Sequence, residues 1–137
     1  MTAKEYLSQA FKMDKRIRII EAKAEKLRSA IEYSPPSLSG TGGGSSADRM
    51  PDTISKIMEY EQRAAELRAL YVEKYIEIDK AIRSVQSPTQ REVLERRYLL
   101  YQKWEQIAEE MHYSSENVFK LHGKALQKIT VNYSIRL

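Results

Sequence analysis

Three lysines stand four residues apart late in the chain, at Lys120, Lys124 and Lys128. On a helix, side chains at i and i+4 share one face, so this spacing would align three positive charges. From residue 115 onward these lysines and Arg136 are opposed only by Glu116, which leaves a local excess of three positive charges. Such a surface can contact the phosphates of a nucleic acid, although a solvated basic helix has the same pattern.

Apolar and small residues around this stretch recur at a spacing that predicts two short helices joined by a tight turn. The expected inward positions are Ile107, Ala108, Met111, Tyr113, Val118 and Leu121. Ser114 or Ser115 would cap the second helix, and Glu116 has the charge that a helix N-terminus favours. The pattern predicts a helix-turn-helix, and two amphipathic helices of an ordinary bundle are the alternative.

The outer face of the second helix carries residues that can read a base pair. If Val118 faces inward, Phe119 and Lys120 lie about 100° and 200° around the helix from it. A phenyl ring can contact a thymine methyl group, and a lysine can reach guanine or a phosphate. Gly123 in mid-helix costs about 1 kcal/mol relative to alanine, which indicates that another group approaches the backbone there.

A longer pattern in the same part of the chain includes Gln90–Tyr98 (QREVLERRY), Glu105–Met111 (EQIAEEM), Ser114–Val118 (SSENV) and Lys124–Ile129 (KALQKI). In order and spacing it resembles region four of bacterial primary sigma factors, which reads a promoter element and contacts RNA polymerase. The resemblance covers about the last third of the chain. With its long helical N-terminal part, the whole layout also resembles the RinA/ArpU-like regulators of phage and prophage late transcription.

The resemblance implies which residues contact DNA. In the resemblance the base-contacting positions are occupied by Ser115, Glu116, Phe119 and Lys120. The lysine row separately predicts that Lys124 and Lys128 contact phosphate. His112 stands where the family usually has glycine, and Phe119 stands where sigma factors carry a base-reading arginine. The sigma-factor promoter sequence therefore does not transfer to this chain.

Two long heptad patterns precede this region and predict a coiled-coil-like antiparallel hairpin. The first seam is Tyr6, Ala10, Met13, Ile17, Ile20, Ala24, Leu27 and Ile31; the second is Ile57, Tyr60, Ala64, Leu67, Tyr71, Lys74, Ile78, Ala81 and Val85. The second helix is expected to begin near Asp52 or at Met50-Pro51 just before it.

The chain is thus predicted to be all-α, with a helical hairpin in residues 1–86 followed by a three-helix helix-turn-helix unit in residues 87–130. A proline-, glycine- and serine-rich stretch predicts a flexible linker at about residues 34–51. In the supporting helix Thr89–Tyr101, the expected inward residues are Val93, Leu94, Tyr98 and either Leu99 or Leu100, and Trp104 is expected in the core of the unit. Residues 131–137 form a tail that alternates like a strand.

Composition excludes several classes of function. The 137 residues carry a net charge of +4 and no cysteine, so disulfides, thiolate catalysis and cysteine-ligated zinc are excluded. Neither of the two histidines has a second histidine or a cysteine at i+3 or i+4, and no Walker or dinucleotide motif is present. We expect no enzyme activity, no cofactor and no metal. With no signal peptide or membrane span in the pattern, we expect a cytoplasmic protein.

The sequence therefore predicts a sequence-specific DNA-binding transcription regulator of phage or prophage type. Double-stranded DNA is the first expected partner, RNA polymerase the second, and a homo-oligomer through the long helices is expected. Two alternatives are a small terminase-like subunit that recognises DNA for packaging and a coiled-coil protein adaptor. The operator sequence and the sign of regulation do not follow from the residues.

Overall fold

The computed structural model describes residues 1–32 and 45–133, with only the helical backbone for residues 45–49. It contains α1 (Ala3–Leu7), α2 (Gln9–Glu32), α3 (Ser45–Arg83), α4 (Pro88–Leu94), a π-helical segment (Glu95–Leu99), α5 (Trp104–Met111) and α6 (Ser115–Tyr133). These ranges hold no strand, and the predicted all-α class is confirmed. Within the same ranges, no helix combines the length and the apolar character needed to cross a membrane.

Several helix limits differ from those that the sequence predicts. The supporting helix, expected at Thr89–Tyr101, begins at Pro88 and ends with the π-helical segment at Leu99. Helix α3 begins at Ser45, earlier than Asp52, and Pro51 lies within its second turn, where it removes one backbone hydrogen bond. Residues 34–44 of the predicted linker lie outside the described residues, and residues 45–51, also predicted as linker, belong to α3. Helix α6 continues to Tyr133, so the strand-like alternation does not give a strand at residues 131–133. Contacts to distant residues stabilise this last turn: Asn132 Nδ2 donates to Ser84 Oγ at 2.9 Å, and the Tyr133 ring stacks on that of Tyr6.

Residues 14–69 form one compact unit, in which α2 and α3 pack antiparallel. Arg68 donates to Glu21 at 2.9 Å, and Arg28 pairs with Glu61. From the first pair to the second, the α2 residue lies later in the sequence and its α3 partner lies earlier, as expected for antiparallel helices. Five of the nine predicted seam residues of this unit are buried, namely Ile17, Ile20, Ala24, Ile57 and Ala64, and the other four, Leu27, Ile31, Tyr60 and Leu67, are half-buried. The hairpin prediction is therefore confirmed for this unit.

Residues Met1–Met13 and Leu70–Leu137 form the other compact unit. Its main core brings together residues far apart in sequence: Ala3, Leu7, Ala10, Ile78, Ala81, Ile82, Val85, Leu94, Tyr98, Leu99, Ala125 and Ile129. The predicted division between residues 86 and 87 thus does not coincide with the edge of a compact unit. Helix α1 begins with a capping box, in which Thr2 and Glu5 bond each other's backbone N–H groups.

Candidate nucleic-acid interface

A second apolar cluster holds α5 and α6 against the supporting helix. It consists of Val93, Ile107, Ala108 and Val118, with Trp104, Met111 and Leu121 packed against it. The inward positions predicted on both helices are confirmed, except that Tyr113 is exposed. Leu99, and not Leu100, is the buried member of that pair in the supporting helix. The sequence spacing thus identified the helix-turn-helix core correctly.

The turn between α5 and α6 depends on two polar residues. His112 adopts the left-handed conformation (φ 59°, ψ 41°) that ends α5, the role that glycine usually fills. The Ser114 hydroxyl then accepts a hydrogen bond from the Asn117 backbone N–H at 3.1 Å. Of the two predicted caps, Ser114 is therefore the N-cap of α6 and Ser115 its first residue. The turn is short because a left-handed residue and a capping serine almost adjoin.

The structure places all six predicted DNA-contacting residues on the exposed side of α6: Ser115, Glu116, Phe119, Lys120, Lys124 and Lys128. At 100° per residue they span an arc of about 220°. Ser115 and Phe119 lie at one edge, and Lys128 lies at the other. The lysine row drifts about 40° around the helix at each step of four residues. The predicted base-reading and phosphate-contacting groups therefore occupy different sides of one continuous face.

The charges on this face are unpaired within the described residues. None of the ion pairs there involves Lys120, Lys124, Lys128 or Glu116, although Glu116 and Lys120 stand four residues apart. By contrast, Arg96 on the supporting side pairs with Glu92 at 2.8 Å and with Glu110. The charged side chains on the outer face of α6 are thus available to a ligand. The Arg96 guanidinium instead connects the supporting helix to α5 through Glu110.

Two further residues lie on the outer face and were not predicted as contacts. Gln127 is exposed, between Glu116 and Lys120 in angle around the helix. Its spacing of seven residues from Lys120 is the sequence signal that could have identified it. Gly123 is also exposed, and a Cβ built on it would meet no atom within 4 Å. The close approach to the Gly123 backbone expected from the sequence is therefore not found within the described part of this chain.

The inner side of α6 contains a buried polar pair that the sequence did not reveal. The Tyr98 hydroxyl and His122 Nε2 lie 2.7 Å apart and share a hydrogen bond. Burial lowers the pKa of His122 to about 4, with smaller effects from the charges of Lys4 and Arg97. Burial likewise raises the pKa of Tyr98 to about 12. Both groups are therefore uncharged near neutral pH, and His122 serves the core and not the exposed face.

Aromatic contacts connect this pair to the exposed face. The Trp104 ring meets His122 edge-on at 4.7 Å between centroids and meets Phe119 edge-on at 5.2 Å. The Arg97 guanidinium lies over the same indole, 4.5 Å from its centroid. Trp104, predicted to lie in the core, thus contacts both the interior and the outer edge of the helix-turn-helix.

Residues 87–130 match the family model described as Sigma-70, region 4. Comparison with curated proteins and with solved structures finds no significant match. The matched residues run from Ser87, the N-cap of α4, to Thr130, just after the last buried residue of α6, and so include every residue of the interface described above. The family match and the geometry agree: residues 87–130 form a DNA-binding helix-turn-helix domain similar to sigma region four.

Proposed function

We propose that this protein is a sequence-specific transcription regulator that inserts α6 into the major groove of DNA. Ser115, Glu116, Phe119 and Lys120 would contact base edges, and Lys124 and Lys128 would contact phosphates. The major groove admits one α-helix and presents a distinct pattern for each base pair. The observation that carries the proposal is the exposed, unpaired outer face of α6 within a sigma-region-four-like domain.

The polar residues of this face suit different base-pair groups. The Glu116 carboxylate can accept a hydrogen bond from the cytosine amino group, and the Lys120 ammonium can donate to guanine. Phe119 offers an apolar surface to a thymine methyl group. Lys124 and Lys128 are point charges whose contacts with phosphate carry no sequence information. Sequence preference and general affinity therefore depend on different residues of one helix.

Selection from a random duplex library, followed by affinity measurements at several salt concentrations, tests this division. Lys124→Ala should weaken binding to all duplexes alike and reduce the slope of log affinity against log salt by roughly one unit. Phe119→Ala should instead change the selected sequence while helicity is retained. Lys26→Ala is the matched control: it removes the same charge from an exposed position in residues 14–69 and should change neither property.

Two results would reject the proposal. The first is a folded parent protein that binds no duplex or selects no sequence. The second is that both α6 variants keep their fold, bind all duplexes with parental affinity and select the parental sequence. In either case α6 does not read DNA.

We further propose a phage- or prophage-type regulator that acts in the cytoplasm beside RNA polymerase and has no catalytic role. The support is the resemblance of the whole layout to regulators of phage late transcription, together with the similarity to sigma region four. Co-purification of RNA polymerase with the tagged protein, lost after competition with free sigma region four, tests the contact.

We also propose a dimer, because one recognition helix reads one half-site. Within residues 14–69 the predicted seams are buried against each other, so the dimer would need another surface. A monomer at high concentration in sedimentation would reject this part.

A further inference from the structure

Phe119 occupies an unusual position for a large apolar side chain. Its neighbour Val118 is fully buried, whereas Phe119 itself is 50% exposed at one edge of the outer face. The covered side of its ring lies edge-on to Trp104, with centroids 5.2 Å apart and planes at 63°. Phe119 therefore belongs partly to the core and partly to the face proposed to contact DNA.

Trp104 is itself held from two further directions. Arg97 lies over its ring, and the same guanidinium donates to the Gln102 carbonyl at 3.0 Å. His122 meets the indole edge-on, and the Tyr98 hydroxyl holds His122 in turn. Trp104 is the first residue of α5. These contacts therefore link the N-terminus of α5 to α6. The indole is a fixed support and not a freely rotating side chain.

We propose that Trp104 is a positioning residue that fixes the Phe119 ring and thereby sets which bases α6 prefers, without touching DNA itself. This rests on the proposed function, in which Phe119 contacts a base edge.

The physical reason is the number of orientations open to the Phe119 ring. A half-exposed phenyl on a helix can occupy more than one staggered rotamer, and ordering it on binding weakens the complex. Edge-to-face contact with a fixed indole selects one orientation before DNA arrives. Without Trp104 the ring would still be apolar, but its contact with a single methyl group would be averaged over several positions. Sequence preference should then decrease more than general affinity.

Mere packing predicts a different outcome. If Phe119 only covers the side of Trp104, removal of the indole weakens the domain and reduces affinity for every duplex by the same factor. If Trp104 positions Phe119, the loss is concentrated at the base positions that Phe119 reads. Relative affinity among single-base variants of the selected duplex separates the two cases.

The experiment compares Trp104→Leu, Phe119→Leu and the double variant with the parent. Leucine keeps an apolar side chain against Val93, Ile107 and Val118 but removes the aromatic edge. We expect Trp104→Leu to lose on the order of threefold to tenfold of the preference at the positions where Phe119→Leu loses it. The double variant should lose no more than Phe119→Leu alone, because both changes act through one ring.

Two further variants serve as controls. Val93→Ala weakens the same apolar cluster without touching Phe119, so it should destabilise the fold and keep the parental preference. Trp104→Phe keeps an aromatic edge and should restore most of the preference that Trp104→Leu loses. If Trp104→Leu does not fold, the tryptophan fluorescence of the parent still provides the test. Trp104 is the only tryptophan, so its emission should change on addition of the selected duplex and less with an unrelated one.

The positioning role is overturned if folded Trp104→Leu keeps the parental preference or loses affinity equally for all duplexes. It is also overturned if saturation with the selected duplex leaves the Trp104 emission unchanged. A parent protein without any sequence preference would instead reject the proposed function, so the two failures are distinguishable.

Discussion

The two compact units bury different kinds of side chains. In residues 14–69 the most buried positions are mainly isoleucines and alanines at heptad spacing, with ion pairs such as Arg68–Glu21 at the surface. In the unit of residues 1–13 and 70–137, the core also includes the hydrogen-bonded Tyr98–His122 pair. Among its described residues, this unit also contains two non-glycine residues with positive φ, Tyr101 at 58° and His112 at 59°. The core of residues 14–69 repeats one apolar heptad pattern, whereas the core of the other unit depends on particular residues such as Tyr98 and His122.

This difference indicates how each unit responds to change. An aliphatic seam tolerates substitutions of similar volume, because every layer makes the same kind of contact. A buried polar pair does not, because a donor or acceptor left without a partner costs more than a lost apolar contact. The residues proposed to read DNA lie on the second kind of unit. Their geometry therefore depends on the less tolerant of the two cores.

The largest expected effect comes from truncation of a core residue in each unit. Leu94→Ala and Ile20→Ala each remove a side chain that is almost completely buried and should lower the free energy of unfolding by about 2–5 kcal/mol. Only Leu94→Ala should also reduce DNA affinity at temperatures near its transition, because Leu94 packs with Ala125 and Ile129 of α6. Thermal unfolding by circular dichroism and DNA titration measure the two effects. Equal loss of DNA affinity in both variants would contradict the distinction.

The next effect concerns pH and the buried imidazole. The pKa of His122 is about 4 in the folded protein and near 6.5 when unfolded, so the unfolded chain takes up the proton first. The stabilisation that comes from keeping His122 neutral in the folded protein is present above pH 6.5 and is lost as the pH falls toward 4. Between pH 7 and pH 5 the free energy of unfolding should decrease by about 2 kcal/mol. Urea unfolding at both pH values measures it.

His122→Gln is the control for this pH effect, since it removes the titrating group and keeps a polar side chain near Tyr98. Its stability should vary less between pH 7 and pH 5 than that of the parent. An identical pH dependence in the two proteins would show that His122 is not the group responsible.

The two units also differ in how much of each follows from sequence. The buried isoleucines and alanines of the hairpin were all among the predicted seam residues, because a heptad repeat identifies its own inward face. In the helix-turn-helix, spacing correctly placed Ile107 and Val118 inside, and the resemblance placed His112 at the turn position where the family usually has glycine. The Tyr98–His122 pair was not predicted, since its members are 24 residues apart and neither type is characteristic of a core.

The prediction that Tyr113 faces inward was wrong, and the contact between Trp104 and Phe119 was not predicted. Both depend on how α5 lies against α6, which a local pattern does not specify. The burial of Ala3 and Leu7 against residues of α6 is a further long-range contact. Periodicity therefore predicts which face of a helix is inward, and not which distant residue meets it there.

The smallest expected effect is at Gly123. Because a Cβ at this position would meet no atom within 4 Å, Gly123→Ala should stabilise the protein by about 0.5–1 kcal/mol through helix propensity. If DNA approaches the backbone there, the same variant should bind DNA more weakly although it is more stable. Thermal unfolding and DNA titration of one sample give both values. Parental DNA affinity would place Gly123 outside the DNA contact.

The packing of α1 against α6 has a consequence for the order in which this unit folds. Ala3 and Leu7 share a core with Ala125 and Ile129, and the Tyr6 ring stacks on that of Tyr133. During synthesis, the apolar face of α1 leaves the ribosome more than a hundred residues before the helix that covers it. Residues 14–69 can close their own hairpin in the meantime, whereas the DNA-binding unit must wait for α6. A nascent chain halted before α6 would therefore expose the α1 side of this core to chaperones and proteases.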